Sequence, residues 1–354
     1  MSNLNEATKA ASARADAELN KSRLEPVIQE MTFAQRVSID SCRRLSGGAI
    51  QENWLLEVHL YGGPWAGKHR WVLRTDAASA VQASLSRAQE FAVLSVAYQA
   101  GVKVPRPLWL CDDPGVLGRA FFLMEMVPGV AAGHVLTGKT AGAASNARLA
   151  EELGANLAHL HSIEPPRAEL GFLPMPDGSP ALAAIAAYQN FLDTLEQAFP
   201  VLEWGLRWCQ LNAPKHASVC LIHRDYRTGN YLAHDGELTG VLDWEFAGWG
   251  DAREDLGWFT ARCWRFARPD LEAGGIGRLE DFLAGYESHS QRRVDRHELV
   301  YWQVMATLRW AIIALQQAQR HLSGEETSLE LALTGRLVPE LELDILRLTG
   351  GFDR

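Results

Sequence analysis

Leu221-Ile222-His223-Arg224-Asp225-Tyr226-Arg227-Thr228-Gly229-Asn230, followed by Gly240-Val241-Leu242-Asp243-Trp244-Glu245, is the stretch that decides how this 354-residue chain is read. Each half begins with a short apolar run of strand character and continues into polar residues. The first half spells His-Arg-Asp with an Asn five positions past the Asp, and a second Asp stands 18 positions on, at the end of the second run. Phosphoryl transfer needs few reactive groups, because its transition state is stabilised mainly by positioning and charge neutralisation. One carboxylate must meet the attacking hydroxyl, and further oxygen ligands must hold Mg2+ against a triphosphate. Asp225, Asn230 and Asp243 are the right residue types. The competing reading is a His and two Asp residues that cap the turns of a β-hairpin.

Outward from this stretch the chain changes character once. Residues 31–126 are expected to run strand, strand, strand, helix, strand, strand. Asn53 to Leu60 alternates in part, Gly62-Gly63-Pro64 marks a turn, and Trp71-Val72-Leu73-Arg74 is a short apolar strand. From Ser84 to Gln99 the period becomes helical, until Gly101 and Val104-Pro105-Arg106-Pro107 stop it. Two more strands are expected at Leu108–Cys111 and Phe121–Met126. After Pro128-Gly129 the pattern is mostly helical, with Leu149, Leu153, Leu157 and Leu160 forming one stripe that ends at His161. The expected organisation is a helical or frayed extension over 1–30, a small strand-rich lobe over 31–127 and a large helical lobe over 128–354.

Residues 221–258 resemble the catalytic core of the aminoglycoside phosphotransferase/choline kinase-like superfamily, which is related to protein kinases. The run Val241-Leu242-Asp243-Trp244-Glu245 and the later Asp255-Leu256-Gly257-Trp258 resemble the phosphotransferase-like domains found beside acyl-CoA dehydrogenases. The likeness extends over roughly residues 40–320 and is sharp only at 221–258. It implies an α+β, two-lobed protein kinase-like fold with a small antiparallel sheet and a large, mostly helical lobe. It also implies a Mg-ATP-dependent kinase acting on an alcohol. On this likeness Asp225 orients the acceptor hydroxyl and takes its proton, and Asn230 and Asp243 are metal ligands. Asp255 holds the catalytic loop through backbone hydrogen bonds, and His223 packs that loop and is not a base. Many members of the superfamily carry Gly where this chain has Arg224.

The small lobe fits the superfamily more loosely. Ser46-Gly47-Gly48 ahead of Asn53-Trp54-Leu55 looks like a reduced nucleotide loop, where backbone N–H groups approach the phosphates. A Gly47-Gly48 pair also suits an ordinary hairpin. Arg74 stands where kinases place a phosphate-binding Lys, and Glu90 on the following helix is its expected ion-pair partner. Met124-Glu125-Met126 resembles the hinge that meets the adenine edge, with Glu125 and Met126 as the contact residues. An apolar core strand is the plainer reading of the same three residues.

Two features point to a small molecule as acceptor. Only 12 positions separate Asp243 from Asp255, too few for the activation loop and Ala-Pro-Glu run of a protein kinase. Between His161 and His223 lies a helical segment carrying Tyr188, Phe191, Phe199, Trp204 and Trp208, suited to shaping a pocket or to core packing. From Ala181 to Ile222 the acids Asp193, Glu196 and Glu203 meet only Arg207 and Lys215. That slight acidity favours a neutral or amphipathic hydroxyl compound over a polycation. A choline or ethanolamine kinase and a catalytically silent nucleotide-binding module are the alternatives.

The whole-chain composition sets outer limits. A net charge of −9, with no basic run among aromatics, argues against a nucleic-acid partner. Five cysteines, at 42, 111, 209, 220 and 263, stand singly, which suits neither zinc nor a disulfide framework. The N-terminal stretch lacks the apolar core of a signal peptide, and the apolar run around Val304 to Leu315 is interrupted by Arg309. A cytoplasmic protein without a membrane segment is expected.

Overall fold

The computed structural model describes residues 19–45, 51–76, 84–138 and 143–350. The chain divides into two compact units, Met1–Ser95 with Pro105–Met126, and Val96–Val104 with Val127–Arg354.

The first unit begins with α1 (Lys21–Thr32) and continues through β1 (Arg36–Arg44), β2 (Gln51–Tyr61) and β3 (Gly67–Asp76). Next come α2 (Arg87–Gln99), whose last turn passes into the second unit, then β4 (Pro107–Cys111), the single turn α3 (Pro114–Leu117) and β5 (Phe121–Glu125). The five strands form one antiparallel sheet in the order β1-β2-β3-β5-β4. Strand β3 is half exposed over its first residues and fully buried from Trp71 to Thr75, so its C-terminal end runs through the core. Trp54, Leu56, Trp71, Leu73, Phe121 and Leu123 pack together on one face.

Leu24 and Ile28 of α1 are wholly buried in the same cluster. Residues Lys21–Thr32 are therefore a helix docked on the sheet. Two such side chains contribute about 1.5–3 kcal/mol each on burial, enough to fix a 12-residue helix to the sheet.

The second unit carries α4 (Gly133–Leu136), α5 (Ala143–His161), α6 (Pro180–Leu192) and α7 (Pro200–Leu211) before its short strands. Those strands are β6 (Val219–Ile222), β7 (Tyr231–His234), β8 (Glu237–Val241) and β9 (Gly248–Asp251), followed by α8 (Ala252–Thr260). The chain ends with α9 (Leu279–His289), α10 (Arg296–Leu322), α11 (Leu329–Gly335) and α12 (Val338–Leu348). Strand β6 pairs with β9 and β7 with β8, each antiparallel, so two small ribbons stand among the helices. The 27-residue α10 is buried on every side from Tyr301 to Leu308 and packs against residues of α6, α7 and α12.

Helices α5 and α9 meet through glycines. A Cβ on Gly154 would lie 2.0 Å from the Phe282 carbonyl, and one on Gly285 would lie 1.9 Å from that of Glu151. Only hydrogen side chains allow the backbones this close. The contact sets His161, the last residue of α5, beside Tyr286 of α9, with the imidazole Nδ1 3.0 Å from the phenol oxygen. No helix among the described residues is long and apolar enough to cross a membrane.

Candidate active site

The loop between β6 and β7 is anchored from below by one carboxylate. Asp255, wholly buried in the first turn of α8, accepts the main-chain N–H groups of His223 and Arg224, each at 2.7 Å. Its Oδ2 also lies 3.3 Å from His161 Nε2. Burial pushes the Asp255 carboxyl up, but hydrogen bonds from His161 and the main chain hold it below the ordinary carboxylate range. Burial also lowers the pKa of His161, so its imidazole serves as a neutral hydrogen-bond partner.

This anchoring explains how Arg224 keeps a left-handed backbone, at φ +64°. A side chain there costs roughly 1–2 kcal/mol relative to the right-handed region, and glycine escapes the cost. The Arg224 guanidinium reaches the Trp249 carbonyl on β9 at 3.1 Å, and its own carbonyl accepts a hydrogen bond from Arg309 of α10. His223 has its tautomer fixed by its partners. The Asp225 N–H donates to Nδ1 at 3.2 Å, so Nε2 carries the proton and donates to the Leu242 carbonyl at 2.8 Å. Both ring nitrogens are committed to the loop.

Asp225 projects from this frame with its side chain 16% exposed. Its Oδ1 accepts from Trp258 Nε1 at 2.9 Å and from Arg227 Nε at 3.1 Å. Its Oδ2 accepts from the Asn230 amide, which also donates to the Asp225 main-chain carbonyl at 3.0 Å. The Leu242 N–H donates to the Asn230 main-chain carbonyl at 2.8 Å, tying the start of β7 to the residue before Asp243. Asp243 is the second non-glycine residue of the site with a left-handed backbone, at φ +60°. An amide oxygen and a carboxylate are the hard donors that suit Mg2+, which commonly takes one or two protein ligands beside phosphates and water. The pair Asn230 and Asp243 fits such an ion.

In the first unit, Arg74 and Glu90 are buried together, with Arg74 Nε and Nη2 each 2.9 Å from Glu90 Oε1. Arg87 pairs with the other Glu90 oxygen and with Asp76 at 2.8 Å, and Asn53 Oδ1 lies 3.3 Å from Arg74 Nη1. At the end of β5 the Glu125 N–H donates to the Arg106 carbonyl at 2.9 Å, and the Met126 N–H to that of Arg70 at 3.1 Å. Both N–H groups expected at an adenine edge are therefore engaged within the sheet. The expected phosphate loop, Gly47 and Gly48, lies outside the described residues.

The sequence pattern of the phosphotransferase enzyme family matches residues 41–292, most of the chain, including the β6–β7 loop and Asp243. The chain belongs to this family. Mouse acyl-CoA dehydrogenase family member 10 is 25% identical over 268 residues, 72% of this chain and 24% of its own length. Rat acyl-CoA dehydrogenase family member 11 is 26% identical over 276 residues, 74% of this chain and 35% of its own length. The chain thus spans about a quarter to a third of the curated relatives it matches. In fold it is similar to a Ralstonia eutropha chain provisionally assigned as an aminoglycoside phosphotransferase. That structure has a TM-score of 0.75 and 19% identity over 94% of this chain and 98% of that one. Spectinomycin phosphotransferase, solved with ADP and spectinomycin, has a TM-score of 0.59 and 10% identity over 91% and 97%. The fold of this family member is accordingly α+β and kinase-like, with a small antiparallel sheet and a helical C-terminal portion.

Several residues of the site escaped the sequence reading. Trp258 lay in a recognised motif, Asp255-Leu256-Gly257-Trp258, yet nothing local says its indole reaches back to Asp225. Arg309 was visible as the charge that interrupts an apolar run, which is the one signal that could have marked it. Arg227, two residues after Asp225, was readable as a neighbour but not as a hydrogen-bond donor to it.

Proposed function

We propose that this chain transfers the γ-phosphoryl group of Mg-ATP to a hydroxyl of a small molecule. The observation that carries the reading is the β6–β7 loop: Asp225 and Asn230 are joined side chain to side chain, beside a strand end that presents Asp243. Asp225 would orient the acceptor hydroxyl and take its proton. Asn230 and Asp243 would hold Mg2+, which when bound offsets charge on the phosphate oxygens. Arg74, held by Glu90, would meet the phosphates from the first unit, with Gly47 and Gly48 lending backbone N–H groups. Glu125 and Met126, their N–H groups engaged, would offer the adenine edge only carbonyl oxygens. Nucleotide binding draws support from the ADP-bound spectinomycin phosphotransferase of similar fold.

A neutral or amphipathic alcohol is the favoured acceptor. The Arg309 guanidinium lies 4.5 Å from the Trp258 ring centroid and that of Arg227 lies 4.6 Å from Trp264. The faces of Trp258 and Trp264 thus already carry cations, which disfavours a quaternary ammonium on these two rings.

The test compares two variants. Asp225→Asn is expected to reduce turnover by about 10²–10⁴-fold while Mg-ADP affinity scarcely changes. Asp243→Asn is expected to weaken Mg-ADP binding as well. An Asp225→Asn protein that turns over Mg-ATP at the wild-type rate rules the mechanism out, as does an Asp243→Asn protein with unaltered Mg-dependent binding.

A further inference from the structure

The carboxylate of Asp225 is one corner of a closed circuit of side chains. Its Oδ1 accepts from Trp258 Nε1 at 2.9 Å, and the Trp258 ring packs 5.1 Å from that of Trp264. Arg227 lies over Trp264 at 4.6 Å and returns to the same Oδ1 through Nε at 3.1 Å. Trp258 and Trp264 are 3% and 9% exposed, so the two rings are fixed by packing. Trp264, whose indole N–H has no acceptor among the described residues, is held by ring contacts, including Trp310 at 4.9 Å.

Arg309 closes the arrangement from α10. Its guanidinium covers Trp258 and also donates to the carbonyl of Arg224, the residue before Asp225. One side chain thus bears on both the ring that holds the carboxylate and the strained backbone that carries it. An indole N–H suits this use. It donates a hydrogen bond and accepts none, so it can fix a carboxylate without competing for the proton the carboxylate must receive.

We infer that Trp258 and Arg309 are positioning residues for the proposed phosphoryl transfer, holding Asp225 in the rotamer that meets the acceptor. This rests on Asp225 being the group that orients the hydroxyl. The inference separates chemistry from binding: loss of Trp258 Nε1 should lower kcat and leave nucleotide affinity untouched, because the indole N–H donates to the carboxylate that orients the acceptor.

The test uses the full chain, with transfer from Mg-ATP to water read as phosphate release, Mg-ADP affinity by calorimetry, and indole 15N–1H spectra. Trp258→Phe keeps the ring against Trp264 and Arg309 and removes only the donor. It is expected to lower kcat about tenfold at unchanged KM for Mg-ATP and unchanged Mg-ADP affinity. Arg309→Met is expected to lower kcat likewise, and Arg309→Lys, which keeps a cation and a donor, to recover part of it. The Trp258 indole cross-peak, identified by its loss in Trp258→Phe, should move when Asp225→Asn removes the carboxylate charge.

The failures are distinguishable. Full kcat in Trp258→Phe, with Asp225→Asn impaired, overturns the positioning role and leaves the proposed function standing. Wild-type turnover in Asp225→Asn overturns both. An indole cross-peak indifferent to Asp225→Asn overturns the hydrogen bond itself, whatever the rates.

Discussion

Arg74 and Glu90 face one another across the core of the first unit, with side chains 5% and 2% exposed and both Arg74 Nε and Nη2 at 2.9 Å from one carboxylate oxygen. Strand β3 supplies the cation and the first turn of α2 the anion, so the pair ties helix to sheet. Removing one member of a buried pair strands the other, at a cost of about 3–5 kcal/mol. Arg87, which shares Glu90, softens that loss.

Arg74→Ala is therefore expected to destabilise the protein by about 3 kcal/mol in urea unfolding. If Arg74 also meets the phosphates, Mg-ADP affinity should fall about tenfold in the folded variant, equal to about 1.4 kcal/mol. Arg74→Lys keeps the charge without the fork and should lie between. Unaltered Mg-ADP affinity in Arg74→Ala would confine the residue to a structural role.

Asp255 carries the catalytic loop, and its loss should be felt in stability and turnover together. Asp255→Asn leaves one acceptor oxygen where two main-chain N–H groups need partners. A loss of about 2–4 kcal/mol is expected at pH 7, since a buried donor left unpaired costs about 1–3 kcal/mol and a charged acceptor more. The pH dependence has a definite sign. The folded pKa of Asp255 lies below its ordinary value, so its contribution is fully present above the unfolded pKa near 3.9 and is lost as pH falls through the folded value. The stability gap between wild type and Asp255→Asn should hold from pH 7 to about 5 and narrow below about 4. A gap that widens on acidification would show that the carboxylate is not the stabilised form.

Gly285→Ala should loosen the site from a distance. A Cβ there meets the Glu151 carbonyl at 1.9 Å, so α5 and α9 must separate. Overpacking of this kind costs about 1–3 kcal/mol, and more where backbone blocks backbone. Separation displaces Tyr286, the next residue, from His161, and with it the imidazole that partners Asp255. Thermal unfolding of Gly285→Ala should occur several degrees lower, and its turnover should fall without a matching loss of Mg-ADP affinity. A variant as stable as wild type would mean that the helices part without strain.

The chain by itself determined the local parts of this architecture. The apolar runs that flank the β6–β7 loop, the five-residue step from Asp225 to Asn230 and the leucine stripe of α5 are all short-range patterns. Hydrogen bonding and side-chain periodicity within a few residues fix them. Other local elements had no sharp bounds: β1, written Arg-Val-Ser-Ile-Asp-Ser-Cys-Arg-Arg, buries only Val37 and Ile39 fully, so the first of the three strands expected before α2 was not delimited by its residues. Likewise α1 has few apolar residues, and its docking depends on a sheet that forms later in the chain.

Tertiary structure decided what surrounds Asp225. Gly248–Asp251 becomes a strand only because β6 offers it an edge, and Trp258 reaches Asp225 only because α8 starts from that strand. Arg309 meets the Arg224 carbonyl across 85 positions of sequence. The left-handed backbone of Arg224, at a position where glycine would be at ease, is held there by Asp255 and stacked helices, not by its own preference. Such contacts join residues that share no period and no spacing. Their free energy exists only once the helices and ribbons have packed, so the order of residues could name the reactive side chains but not the frame that aims them.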